Sequence, residues 1–259
     1  MAYKVGGIMQ PVHVSSGIPR RDLSEHQVPI LQVTGYSGAG KTTVMQATLA
    51  ALKTERRIVY ILNDGQPSGG SPVDAKRLDQ LADLRAFADE CFGCRTPEQL
   101  LDVVSAQLLG SEACVIVIEG LGFVDGFEVP RLLKHYLNVD TGVYTLVRET
   151  TYDLFHRSPT FPTQIEAANL GIGYTNVQGE AVEHSVVHAV AHLNSRVPYS
   201  VIRHGDPIPQ TVIDWLLGEG LLDDDRFCGG QHHLHHAHHD HEHAHHDDHE
   251  HHEHAHEHD

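Results

Sequence analysis

An α/β fold, in which a mostly parallel sheet is flanked by helices on both faces, is what this chain of 259 residues predicts. Three observations predict it. Short runs of consecutive apolar residues recur along the sequence, as strands buried on both faces require. Stretches of good helix formers alternate with them. The first apolar run also leads straight into a glycine-rich segment that opens a helix, the strand, loop, helix order of a P-loop nucleotide-binding domain. In such a sheet, ligands gather at the carboxyl ends of the strands.

The elements follow in order. Residues 1–27 carry Gly and Pro without clear periodicity and read as a loosely packed arm. Residues 29–34 form the first strand, residues 35–42 the glycine loop and residues 42–53 a helix. A second buried strand is expected at 57–62. The Gly-, Pro- and Ser-rich stretch 63–74 then reads as a mobile loop at its carboxyl end, where a switch would lie. Thr96, Pro97 and Gln99 have the residues of a capped helix start, and that helix should run to about Leu109. Residues 113–118 form a wholly apolar strand ending at Glu119. Further strands are expected at 142–148 and 199–203, with helices at 128–137, 179–194 and 209–217. The domain thus spans 28–226, and residues 227–259 form a flexible His-, Asp- and Glu-rich tail.

Composition excludes several functions. The formal charge of −17 repels phosphate backbones, which argues against a nucleic-acid partner. The tail holds eight of the 35 acidic residues and no Lys or Arg, so the remainder, 27 acidic against 18 basic, is acidic too. No apolar stretch is long enough for a membrane span, and residues 1–16 lack the apolar block of a secretory signal, so a cytoplasmic protein is expected. Cys91, Cys94, Cys114 and Cys228 do not resemble a disulfide framework.

Gly35-Tyr36-Ser37-Gly38-Ala39-Gly40-Lys41-Thr42, followed by Thr43, is a complete phosphate loop. A phosphate chain needs several converging N–H donors, and Gly35, Gly38 and Gly40 let the backbone wrap closely around it at a helix N-terminus. Lys41 would reach the outer phosphates of GTP or ATP, and the Thr42 hydroxyl would bind Mg²⁺. Glu119, at a strand end in the same crevice, could hold Mg²⁺ through water, and Gly122 allows close approach to the γ-phosphate. The plainer reading of Glu119 is a solvated carboxylate. Asp64 and Asp74, flanking the mobile loop, are further candidates for positioning metal or water.

Cys91 and Cys94 are spaced so that two thiolates can grip one Zn²⁺-like ion, with Glu90, a tail histidine or a second protomer completing the set. Buried structural thiols or a redox couple are the alternatives. The tail's sixteen histidines begin with His232, His233, His235, His236, His238 and His239. Imidazoles at that density bind Zn²⁺, Ni²⁺, Co²⁺ or Cu²⁺, and a flexible chain buffers metal without selecting it. The interleaved Asp, Glu and Ala set it apart from a purification tag. His184, His188 and His192 recur every four residues in a predicted helix, either as chelating pairs or as solvent-facing side chains without a ligand.

The order of these parts resembles the CobW/HypB/UreG family of metallochaperone GTPases, particularly its CobW-like branch. The resemblance rests on residues 35–43, on Asn63 opening a loop that ends at Asp74, on Glu90-Cys91-Phe92-Gly93-Cys94, on Glu119-Gly120-Leu121-Gly122, and on residues 192–205. It covers about residues 28–205. It implies slow hydrolysis of GTP, with Mg²⁺, coupled to delivery of Zn, Ni or Co to a client metalloprotein through a nucleotide-dependent homodimer. Two positions depart from the family pattern. Gly93 stands where a further Cys is usual, and Tyr174-Thr175-Asn176-Val177 stands where the guanine-reading Asn-Lys-x-Asp is expected, which opens the site to ATP. A short helical segment and the tail take the place of the second domain of longer CobW-like proteins. Two other readings are a metal store on a degenerate nucleotide-binding domain and a small-molecule kinase.

Overall fold

The apolar run at the start of the domain becomes strand β1 (Ile30–Thr34), buried along its whole length. The glycine loop follows and opens α1 (Lys41–Ala51), whose N-terminal flank, Gly40, has a φ of 89°. In chain order come β2 (Arg57–Asn63), α2 (Pro72–Leu81), β3 (Asp83–Phe87), α3 (Pro97–Leu108), β4 (Cys114–Glu119), α4 (Glu128–Leu137) and β5 (Gly142–Arg148). Two short helices, α5 (Glu149–Phe155) and α6 (Thr160–Glu166), precede β6 (Gly171–Asn176), α7 (His184–Leu193), β7 (Tyr199–Arg203) and α8 (Gln210–Leu216). This computed structural model describes residues 18–52, 54, 56–63, 72–87, 97–110, 114–176 and 182–218.

The seven strands form one sheet in the order β3-β2-β4-β1-β5-β6-β7, and every described pairing is parallel. Successive side chains point to opposite faces, so each central strand feeds two layers. Leu31, Val33, Val115 and Val117 pack on one face with Val44, Met45 and Leu49 of α1 and with Val212 and Ile213 of α8. Ile30, Ile116 and Ile118 pack on the other with Leu100 and Val104 of α3 and with Leu132 and Leu133 of α4. A third cluster joins Ile172 and Tyr174 of β6 to Phe161 and Ile165 of α6 and to Val186 and Val190 of α7.

Several expectations change. The stretch 63–74 is not a loop throughout: its last residues start α2, so Asp74 lies within that helix. Pro72, preset for a first helical position, marks that start. β3 carries Asp83 and Arg85 and is only partly buried, as befits a sheet edge, and so gives no apolar run to detect. α5 and α6, seven residues each, are too short to show a period. β6 runs on to Asn176, so Tyr174, Thr175 and Asn176 end the strand instead of following it. The arm is docked over its described part. The N–H groups of Arg21 and Leu23 donate to the carbonyls of Tyr136 and Leu137 at 2.7 and 2.8 Å, and Leu23 is buried in the α3/α4 layer.

Candidate functional site

Strand order alone brings the phosphate loop and Glu119 together. β1 and β4 are neighbours, and their register pairs Val33 with Glu119 two residues before the loop begins. Both chains leave the sheet at its carboxyl edge, where the N-terminus of α1 also points.

Close backbone approach fixes the loop's shape. Gly35 has a φ of 132°, and a Cβ there would sit 2.3 Å from the Leu146 carbonyl oxygen of β5. A Cβ on Gly122 would sit 2.3 Å from the Ser37 nitrogen and 3.0 Å from the Tyr36 carbonyl carbon. Gly122 therefore lies against the phosphate loop as its sequence position suggests, and it is held there. Gln164 of α6 donates through its side-chain amide to the carbonyls of Gly122 and Val124, at 3.2 and 2.9 Å. Tyr36 anchors the loop from the other side, stacking on Phe155 at 4.6 Å with its hydroxyl 2.7 Å from that of Thr160.

The two groups expected to hold nucleotide and Mg²⁺ each have a protein partner. Lys41, almost buried, donates to the carbonyls of Gly35 at 2.7 Å and Tyr36 at 3.3 Å. Thr42 donates its hydroxyl to Glu119 Oε1 at 2.8 Å. Glu119 is 5 % exposed, so it is not the solvated carboxylate of the plainer reading. Its second oxygen, Oε2, accepts from the hydroxyl of Tyr60. β2 pairs with β4 so that Tyr60 lies opposite Val117, and residues two apart on a strand share a face, which brings the phenol to Glu119. Burial above all, then the neighbouring carboxylate and the hydrogen bond to it, hold the Tyr60 phenol well above its ordinary range, so it acts as a neutral donor. Glu119 is thus clamped between two hydroxyls that fix both its oxygens.

Gln164 and three further residues of this site escaped sequence reasoning. Tyr60 could have been found as the one polar-tipped side chain in the apolar run Ile58-Val59-Tyr60-Ile61-Leu62. Arg148, at the end of β5, donates to the Gly38 carbonyl at 3.2 Å, and only the strand order brings it there. Thr175 of β6 donates to the Ala39 carbonyl at 2.8 Å, tying the strand that normally leads to base recognition to the phosphate loop. Asp74 lies within α2 and not at the end of a mobile loop. Cys91, Cys94, Glu90, Asp64 and the tail histidines from His232 to His239 fall outside the described residues. Cys114 is a buried thiol in β4. Among the described residues no group of three or more metal-ligating side chains is assembled, and no helix is long and apolar enough to cross a membrane.

A parallel sheet with a phosphate loop opening α1, and an acidic residue on the next strand hydrogen-bonded to the loop threonine, defines a P-loop nucleoside triphosphatase. The family is settled by comparison: the CobW/HypB/UreG nucleotide-binding domain matches residues 29–174, so the chain belongs to that family. No curated protein matches it. Among solved structures, it is similar to the hydrogenase maturation factor HypB of Archaeoglobus fulgidus, with a TM-score of 0.52 and 18 % identity over 75 % of this chain and 91 % of that one. HypB of Helicobacter pylori, determined in complex with nickel, gives the same TM-score and identity over 75 % of this chain and 88 % of its own. FtsY of Mycoplasma mycoides reaches a TM-score of 0.50 at 12 % identity over 80 % of this chain and 72 % of that one. These likenesses concern the fold.

Proposed function

We propose that this chain is a metal-delivering NTPase that binds and slowly hydrolyses GTP, with ATP as the second candidate, and transfers Zn, Ni or Co to a client metalloprotein, acting as a nucleotide-dependent homodimer. The observation that carries the reading is the Thr42–Glu119–Tyr60 chain of hydrogen bonds beside an intact phosphate loop. The family and the loop support nucleotide hydrolysis; the Cys91/Cys94 pair with Glu90 and the histidine-rich tail support the cargo.

Each residue has a definite task in this reading. Backbone N–H groups of residues 35–43 bind the phosphates. Lys41 exchanges the Gly35 and Tyr36 carbonyls for phosphate oxygens, a substitution of strong acceptors for weaker ones. Thr42 would hold Mg²⁺ through a lone pair of the hydroxyl that donates to Glu119, and Glu119 would hold it through an intervening water. Mg²⁺, when bound, neutralises the charge that builds on the phosphate oxygens. Each Glu119 oxygen accepts one hydrogen bond and keeps a further lone pair, so the carboxylate is fixed in place and can still accept from that water.

Competition between labelled GTP and ATP, repeated across Mg²⁺, Zn²⁺, Ni²⁺ and Co²⁺, tests the reading. One nucleotide should bind only with Mg²⁺, and its hydrolysis rate should change when a transition metal is added. Absence of nucleotide binding at every metal concentration would reject it. Phosphorylated metabolite in place of released phosphate would point to a kinase.

A further inference from the structure

The histidines of α7 lie outside the nucleotide site, and the fold gives them a common face. α7 turns Val186 and Val190 inward, both fully buried in the third core cluster. At 3.6 residues per turn, positions 184, 188 and 192 fall on the opposite side of the helix. All three histidines are exposed there. The rings of His184 and His188 lie 6.3 Å apart between centroids, with planes inclined by 45°.

We propose that His184 and His188 chelate one divalent transition-metal ion, Zn²⁺, Ni²⁺, Co²⁺ or Cu²⁺, on this face of the folded domain. Imidazole nitrogen bonds zinc at about 2.0–2.1 Å, which puts each ring centroid about 3.2 Å from the ion and two such rings about 5 Å apart around a tetrahedral centre. The observed 6.3 Å is wider than that value by about 1 Å, a gap within the reach of two long side chains on neighbouring turns of one helix. Residues four apart on a helix are neighbours, and the helix is anchored by its buried valines, so the pair is held near its binding geometry before the ion arrives. Neutral imidazole suits all four ions. Two protein ligands leave the remaining positions to water, so the site is open and exchanges its metal readily, unlike a closed structural zinc site. The helix holds the two ligands at a fixed spacing, and the site stands whether or not the chain delivers metal to a client.

Histidine modification by diethylpyrocarbonate, read residue by residue by mass spectrometry on the full chain, separates this site from the tail. Zn²⁺ is added well beyond the capacity of the tail's sixteen histidines. Free Zn²⁺ at about ten times the site's Kd fills about nine-tenths of it, so modification of His184 and His188 should slow about tenfold. His204, also exposed but outside the pair, should react at its metal-free rate. In the His188→Ala variant, His184 should return to its metal-free rate. Equal rates at His184 and His188 with and without Zn²⁺, protection extending equally to His204, or continued protection of His184 in the variant would each overturn the proposal.

Discussion

Tyr60 shows how much of this site depends on a single buried hydroxyl. Its phenol supplies one of the two hydrogen bonds that hold Glu119, the other coming from Thr42. Changing Tyr60→Phe keeps the ring in the core but leaves a buried carboxylate oxygen without its donor, a loss of about 1–3 kcal/mol. We expect a corresponding fall in unfolding free energy in urea and a severalfold rise in the Mg²⁺ concentration that half-saturates nucleotide binding. An unchanged Mg²⁺ requirement would show that Tyr60 only packs. Gly122→Ala tests the neighbouring contact, because the new methyl group would meet the Ser37 nitrogen and the Tyr36 carbonyl carbon, which are backbone atoms and not the end of a flexible side chain. The phosphate loop must shift, and nucleotide affinity measured by calorimetry should fall at least about tenfold, or about 1.4 kcal/mol. Affinity equal to that of the unaltered chain would mean that Gly122 does not shape the loop.

At the scale of elements, the legible parts of the sequence were those whose local pattern and final environment agree. β1, β4 and β5 are buried on both faces and so read as apolar runs, and the glycine loop needed no tertiary information. β3 was hidden because an edge strand is stabilised by pairing on one side and carries charge on exposed positions. The docking of the arm's described part was hidden for a similar reason: Leu23 is one apolar residue among polar ones, and its burial depends on α4, a partner more than a hundred residues away. Likewise Arg148 meets the phosphate loop only because β5 lies beside β1. The docked arm makes a prediction of its own. Leu23→Ala removes a buried side chain from the α3/α4 layer and should cost about 2–3 kcal/mol in urea unfolding while nucleotide affinity stays as it was, since this layer faces away from α1. Loss below about 0.5 kcal/mol, the scale of a surface change, would show the arm to be undocked in solution.

Over the whole molecule, the same burial that hides polar groups ties stability to alkaline pH. Tyr60 and Tyr144 lie in the core layer under α1, and Tyr174 lies in the layer formed by α6 and α7, so opposite sides of the sheet each contain a phenol that must stay neutral. Burial pushes Tyr144 up to about 12, against a weaker pull downward from Ser200, and it pushes Tyr174 up to about 12 with help from Tyr199. Tyr60 is held well above its ordinary range, by burial first and then by Glu119. In the unfolded chain these phenols titrate near pH 10. Below that pH both states hold the protons and stability is indifferent to them. Above it the unfolded chain releases protons that the folded chain keeps, so the unfolded state gains and stability falls as pH rises from about 10 to about 12, by about 2–3 kcal/mol for Tyr144 alone. Against a total of about 5–15 kcal/mol, losses of this size are a large share of the domain's stability. Urea unfolding at stepped pH should give a flat stability up to about 10 and a steep decline beyond it, with tyrosinate absorbance from these three residues appearing only as the protein unfolds. Tyr144→Phe should make the decline shallower. Tyrosinate forming while the far-ultraviolet spectrum remains native would instead mean that water reaches these rings in the folded state.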